Sequence, residues 1–124
     1  MSRVILVIED DPNILFALAT LLEEEGHQVW CAENGAVGLE LLRTRGMPDL
    51  ILLDRLMPVM NGHQFVEEFR ALYGSSTPVV VMTAAGEIEK RVSEMNVHGF
   101  ISKPFSILEL LKVMEQKLLA IPAV

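Results

Sequence analysis

Four apolar segments of the chain are each followed by side chains that could do chemistry. These side chains are, in chain order, Glu9, Asp10, Asp54, Thr83 and Lys103. Clustered carboxylates raise one another's pKa unless a cation lies among them, and oxygen ligands of this kind favour Mg²⁺, with Mn²⁺ as the alternative. A carboxylate beside such an ion, with a lysine and a hydroxyl, has the groups needed to accept a phosphoryl group. In this interpretation Asp54 is the nucleophile, and Thr83 and Lys103 contact the transferred oxygens.

Each of these residues also has a structural explanation when it is taken alone. Asp54 could begin a turn, and Glu9 and Asp10 could be acids favoured at the start of a helix. Thr83 could simply end a strand, and Lys103 could extend along the surface into solvent. These separate explanations do not account for the placement of all five residues at the ends of four strands.

The elements that must position these residues are five short apolar strands alternating with five helices. The strands are predicted at 4–8, 28–32, 50–54, 78–82 and 99–102. Continuous apolar runs such as Leu50–Leu53 are typical of strands covered on both faces, so we expect one doubly wound parallel sheet, an α/β fold. Asp11-Pro12 and the pair Ser106 and Glu109 are predicted helix starts. Helical spacing predicts buried positions that include Ile14, Leu18, Leu22, Phe65, Phe69, Leu72, Tyr73, Ile107, Leu110, Met114 and Leu118.

Composition narrows the class of protein. The 124 residues are expected to form one domain, 1–124, and the net charge of −7 argues against a nucleic acid or an acidic membrane as direct partner. The single cysteine, Cys31, excludes an internal disulfide and fits a reducing cytoplasm. No apolar run reaches the ~18–20 residues that a membrane span needs. His27, His63 and His98 have no acid partner in the pattern, and we expect ordinary surface residues there.

Four motifs together resemble the receiver domain of two-component response regulators over essentially the whole chain. They are Ile5–Asp11, Asp54–Gly62, Met82–Ala84 and Phe100–Phe105. The resemblance implies a flavodoxin-like (βα)5 fold with strand order 2-1-3-4-5 and a cis peptide bond between Lys103 and Pro104. It also implies that Asp54 is the phosphoacceptor for a histidine kinase or a phosphotransfer protein.

The same resemblance assigns the surrounding roles. Asp10 would bind Mg²⁺ directly, Glu9 through water, and Leu56 through its backbone carbonyl, with Asp54 completing the protein ligands. Thr83 and Lys103 would hold the phosphoryl oxygens, and Phe100 would be the switching aromatic that turns inward as Thr83 moves. The expected output is a changed surface read by a downstream protein target. It is formed by the predicted fourth helix, around Ile88, Val92 and Met95, the fifth strand at 99–102, and the fifth and last helix, which begins at Ser106.

Several expectations concern the limits of this function. We expect no enzymatic activity beyond self-phosphorylation and self-dephosphorylation, and no output domain within 1–124. We also expect a monomer or weak dimer, because the segment from Thr83 to Lys103 is about two residues shorter than is usual in the family. Leu56 and Ala85 offer no polar group to attacking water, which predicts a long-lived phosphoaspartate.

One alternative is a receiver-like interaction module that works without phosphate. Another is an aspartyl-phosphate hydrolase, which needs a second aspartate where Leu56 stands.

Overall fold

The computed structural model describes residues 3–55, 60–84 and 97–119, which contain five strands and four helices. In chain order these are β1 (Val4–Ile8), α1 (Pro12–Glu24), β2 (Gln28–Ala32), α2 (Gly35–Arg45), β3 (Leu50–Asp54), α3 (Gly62–Tyr73), β4 (Val79–Ala84), β5 (Gly99–Lys103) and α4 (Ile107–Leu119). The helix predicted around Ile88, Val92 and Met95 lies outside the described residues, as does the chain beyond Leu119.

The five strands form one parallel sheet in the order β2-β1-β3-β4-β5, which confirms the predicted fold class and strand order. The register aligns Ile8 with Leu53 and Asp54 with Met82. The carboxyl ends of β1, β3, β4 and β5 therefore lie side by side at one edge of the sheet. Ligands and reactive groups collect at this edge in open α/β sheets.

Both faces of the sheet are covered by helices. On β3, Ile51 and Leu53 pack on the side of α2 and α3, whereas Leu50 and Leu52 pack on the side of α1 and α4. All four of these side chains are fully buried. The uninterrupted apolar run in the sequence thus follows from a strand that has a hydrophobic layer on each face.

Polar side chains cap the helices and fix where they begin. Asp11 accepts hydrogen bonds from the backbone N–H groups of Asn13 and Ile14 at 2.8 and 3.2 Å. At α4, Ser106 and Glu109 form the predicted reciprocal pair. A second capping box, Asn61 with Gln64, starts α3 and was not predicted. These caps satisfy N–H groups that have no partner inside the helix.

Four apolar positions that were expected to be buried are exposed instead. Ile14, Leu72, Tyr73 and Ile107 are 37, 66, 37 and 38% exposed. Each lies in the first or last turn of its helix. The periodicity predicted the covered side of each helix correctly, but it could not predict how far along the helix the cover extends.

Candidate functional site

Three predicted site residues are buried at the carboxyl edge of the sheet. Glu9 directly follows β1, Asp54 ends β3, and Thr83 lies in β4 next to Met82, the register partner of Asp54; their exposures are 1, 7 and 3%. Asp10 is exposed. One carboxylate oxygen from each of Glu9, Asp10 and Asp54 lies within 4.8 Å of the others. The predicted convergence of the three acids is therefore present, whereas Leu56 lies outside the described residues.

Lys103 reaches this cluster from β5, across the intervening strand β4. Its Nζ donates to Oε1 of Glu9 at 2.9 Å and to Oδ1 of Asp54 at 3.3 Å. The peptide bond between Lys103 and Pro104 is cis, as the resemblance implied. The ammonium group thus lies between two buried carboxylates.

Burial dominates the electrostatics of Asp54. Loss of solvent, followed by the neighbouring Glu9 carboxylate, raises the pKa of Asp54 to about 7, although the charge of Lys103 acts in the opposite direction. For Lys103, burial opposes the charged form, but the hydrogen bond to Glu9 and the charge of Asp54 outweigh it and raise the pKa. Lys103 is therefore positively charged near neutral pH, and one ammonium group does not compensate all three carboxylates.

The remaining negative charge suits a hard divalent cation. The cluster offers carboxylate oxygens only, which is the donor set that Mg²⁺ and Mn²⁺ prefer. The exposed position of Asp10 opens the cluster to solvent on one side. Within residues 3–55, 60–84 and 97–119 no other group of histidine, cysteine or acidic residues is arranged to hold a metal ion. The residues present therefore fit the predicted Mg²⁺ site.

Gly62, the last residue of the Asp54–Gly62 motif, is part of the framework of the site. A Cβ atom at this position would lie 2.8 Å from the backbone oxygen of Asp54 and 3.0 Å from Cα of Arg55. The N–H of Gly62 also donates to the backbone oxygen of Arg55 at 2.9 Å. The close approach requires a residue without a side chain. The Asn61-Gly62 dipeptide at the start of a helix is the only sequence signal for it.

Phe100 lies on β5 in register with Val81 of β4 and is 45% exposed. Its predicted switching role stays a prediction.

Two of the three histidines, His63 and His98, are exposed, as expected of surface residues, and His27 is half-buried. The expectation that they have no acid partner is wrong for His63. Nδ1 of His27 accepts from the backbone N–H of Arg3 at 3.2 Å, and Nδ1 of His98 accepts from that of Val79 at 3.3 Å. His63 is exposed and lies 3.6 Å from a carboxylate oxygen of Glu67. The first two contacts join positions 24 and 19 residues apart, so no local pattern could predict them.

Comparisons with known proteins agree with this geometry. The family model described as response regulator receiver domain matches residues 5–115. The chain is 34% identical to Protein PilH of Pseudomonas aeruginosa over 115 residues, which cover 90% of this chain and 93% of PilH. It is also 34% identical over 116 residues to the Regulatory protein AtoC of Escherichia coli, covering 92% of this chain but only 25% of AtoC.

A solved structure shows the same fold. The crystal structure of the receiver domain of NtrX from Brucella abortus has a TM-score of 0.85 and 30% identity, with 94% of this chain and 98% of that chain covered.

In the residues of this chain that its own structure describes, no helix is both long and apolar enough to cross a membrane.

These matches cover the strands and all the acidic site residues. Receiver domains accept a phosphoryl group in two-component signalling, bind Mg²⁺ at an acidic pocket and interact with histidine kinases and downstream effectors. The chain belongs to the family of response regulator receiver domains.

Proposed function

We propose that Asp54 is the phosphoacceptor of this receiver domain and that its phosphorylation switches a protein-interaction surface. The observation that carries the proposal is the position of Asp54 at the end of β3, buried beside Glu9 and Asp10 and in contact with Lys103. A carboxylate in this setting can act as a nucleophile, because a neighbouring cation favours its ionised form.

The proposed reaction is a single displacement at phosphorus. An oxygen of the Asp54 carboxylate attacks, an O–P bond forms, and the bond between phosphorus and the donor breaks with its electron pair leaving on the donor. Near neutral pH a pKa of about 7 leaves a substantial fraction of Asp54 ionised. The ammonium group of Lys103 and the hydroxyl of Thr83 would then hold the transferred oxygens.

Glu9, Asp10 and Asp54 would hold Mg²⁺, with Mn²⁺ as the alternative and the Leu56 carbonyl as a further ligand. The ion would supply positive charge that offsets the charge on the transferring phosphoryl oxygens. Asp10 is the exposed member of the set and therefore gives the ion a path from solvent. The Leu56 ligand lies outside the described residues and rests on the family resemblance.

We infer a stoichiometric acceptor rather than an enzyme with turnover, because the product stays attached to Asp54 until it is hydrolysed. The donor would be a histidine kinase or a phosphotransfer protein, acting in the cytoplasm. The partly exposed Phe100 would respond to Thr83 and alter a surface read by a downstream protein. A monomer or weak dimer suits this role. The chain spans about a quarter of the length of AtoC, so the partners of AtoC are not assigned to this chain.

The test is intact mass after incubation with acetyl phosphate and Mg²⁺. Wild type should gain one phosphoryl group, and the gain should disappear in Asp54→Asn and when the metal is chelated. A matched control is Asp49→Asn, because Asp49 directly precedes β3 at the opposite edge of the sheet and caps the N–H of Val4 at 2.7 Å. Equal gain in wild type and Asp54→Asn would show that another residue accepts the phosphoryl group and would overturn the proposal. No gain in wild type would overturn it as well and would favour a phosphate-independent interaction module.

A further inference from the structure

His98 lies immediately before β5, at the edge of the sheet opposite the acidic site. Its Nδ1 lies 3.3 Å from the backbone nitrogen of Val79 and 3.2 Å from Nη2 of Arg70. The backbone N–H of His98 in turn donates to the backbone oxygen of Val79 at 3.0 Å. Because both neighbours of Nδ1 are donors, that nitrogen must carry a lone pair and the ring must be neutral.

The same ring joins three further parts of the fold. The backbone of Ser75, in the loop between α3 and β4, acts on the ring and favours its charged form. Arg70, on α3, also donates to the backbone oxygens of Gly74 and Thr77 at 3.1 and 3.0 Å. His98 thus links the end of α3, the loop that follows it and the starts of β4 and β5.

The charges around His98 have one sign. Within the described residues, Arg70 from α3 and Lys117 from α4 are the charged groups that act on the ring. The side chain of Lys117 packs over the start of β5, since a Cβ atom added to Gly99 would lie 2.8 Å from its Cε. A proton on Nδ1 would face the Arg70 guanidinium and the Val79 N–H, so protonation and these hydrogen bonds exclude each other.

We propose that neutral His98 is a pH-sensitive latch, which holds the starts of β4 and β5 against the end of α3 and opens on acidification. The inference is independent of the phosphoacceptor chemistry, because it rests on residues at the other edge of the sheet. The strands that it holds carry Thr83 and Lys103 at their opposite ends, and Phe100 lies two residues beyond His98. Opening the latch loosens the first residues of β5, the strand that carries Phe100.

The direction of the pH effect follows from the environment of the ring. Burial, followed by the charges of Arg70 and Lys117, lowers the pKa of His98 and outweighs the opposing effect of the Ser75 backbone. His98 is partly open to solvent even in the closed state, since the residue is exposed. Opening moves the ring away from Arg70 and Lys117, and its pKa then returns to the ordinary value of about 6.5. The closed latch therefore has its full stability above about pH 6.5 and loses stability as the pH falls below that value. The equilibrium constant for opening rises by at most about tenfold per pH unit.

Amide hydrogen exchange of Val79, followed by NMR, tests the latch. After correction for the intrinsic exchange rate, protection in wild type should fall between about pH 7 and pH 5.5. In His98→Asn the side-chain oxygen can accept the same N–H but does not titrate, so protection should become independent of pH over this range. His63→Asn is the matched control, because His63 is exposed on α3, and it should behave as wild type.

A second measurement does not depend on the variants folding. The ¹⁵N shifts of the His98 ring in wild type should show a neutral ring with an unprotonated Nδ1 at about pH 7 and a titration midpoint below 6.5. A midpoint at or above 6.5 would overturn the latch. Protection of Val79 that changes equally with pH in wild type and His98→Asn would also overturn it.

Discussion

Glu9 and Lys103 are 94 residues apart in the chain, yet Nζ of Lys103 lies 2.9 Å from Oε1 of Glu9. The contact is shorter than that of Lys103 with Asp54, which is 3.3 Å. Glu9 therefore anchors the lysine at the position where it also faces the carboxylate proposed to accept phosphate.

Lys103→Met should destabilise the metal-free protein. Removing the ammonium group leaves Glu9 and Asp54 without their shared cation, and we expect a loss of about 1–3 kcal/mol in the free energy of unfolding at about pH 8. The loss should shrink on acidification, because Asp54, whose pKa is raised to about 7, then becomes protonated. Urea unfolding followed by the fluorescence of Trp30, the single tryptophan, measures it. Lys112→Met, at an exposed lysine of α4, is the control, and equal losses in the two variants would contradict the prediction.

Asp54→Asn should stabilise the metal-free protein above about pH 7. The pKa of Asp54 is raised from 3.8 to about 7, so the stability that its protonated form contributes is fully present below the ordinary pKa and is lost as the pH rises through 7. Asparagine stays uncharged, and we expect a gain of about 1–3 kcal/mol at about pH 8, reduced by the weaker contact with Lys103. The difference between the two proteins should disappear near about pH 4. A gain of the same size at both pH values would contradict this explanation.

Mg²⁺ should stabilise wild type through the three carboxylates. At 100 times its dissociation constant the ion should add about 2.7 kcal/mol, which thermal unfolding detects as a higher melting temperature. Asp10→Asn should lose most of this shift, whereas Asp49→Asn should keep it, because Asp49 lies at the other edge of the sheet. An unchanged shift in Asp10→Asn, measured at constant ionic strength, would show that the ion binds elsewhere.

Gly62→Ala should disturb the site through the backbone. The added methyl group would lie 2.8 Å from the backbone oxygen of Asp54, where no flexible side chain can move aside, and we expect a loss of about 1–3 kcal/mol with slower phosphorylation. The comparison variant is Gly99→Ala, where the atoms nearest the added methyl group belong to the outer part of the flexible Lys117 side chain. That variant should stay within about 0.5 kcal/mol of wild type. A comparable loss in both variants would contradict the backbone argument.

The strands and the acidic site could be predicted because both depend on local sequence. Leu50–Leu53 is a continuous apolar run, and the position of Asp54 at its end follows from where the run stops. The order of the strands could not be derived in this way, because several orders satisfy the same pattern. It came from the family resemblance, and the structure confirms it.

Other features depend on three-dimensional neighbours. Leu72 is exposed one residue before the end of α3, and helical periodicity does not encode where along a helix burial ends. The hydrogen bond from Val79 to His98 and the close approach of Gly62 to Asp54 depend on how loops bring distant backbone groups together. A single sequence carries no direct signal for contacts of this kind.

The most direct test of the central claim is to identify the phosphorylated residue chemically. Wild type is incubated with acetyl phosphate and Mg²⁺ and then treated with borohydride, which reduces an aspartyl phosphate to homoserine, and the digested peptides are sequenced by mass spectrometry. The account predicts homoserine at position 54 and at no other aspartate. Homoserine at Asp10 or Asp49, or a phosphorylated protein without homoserine, would contradict it.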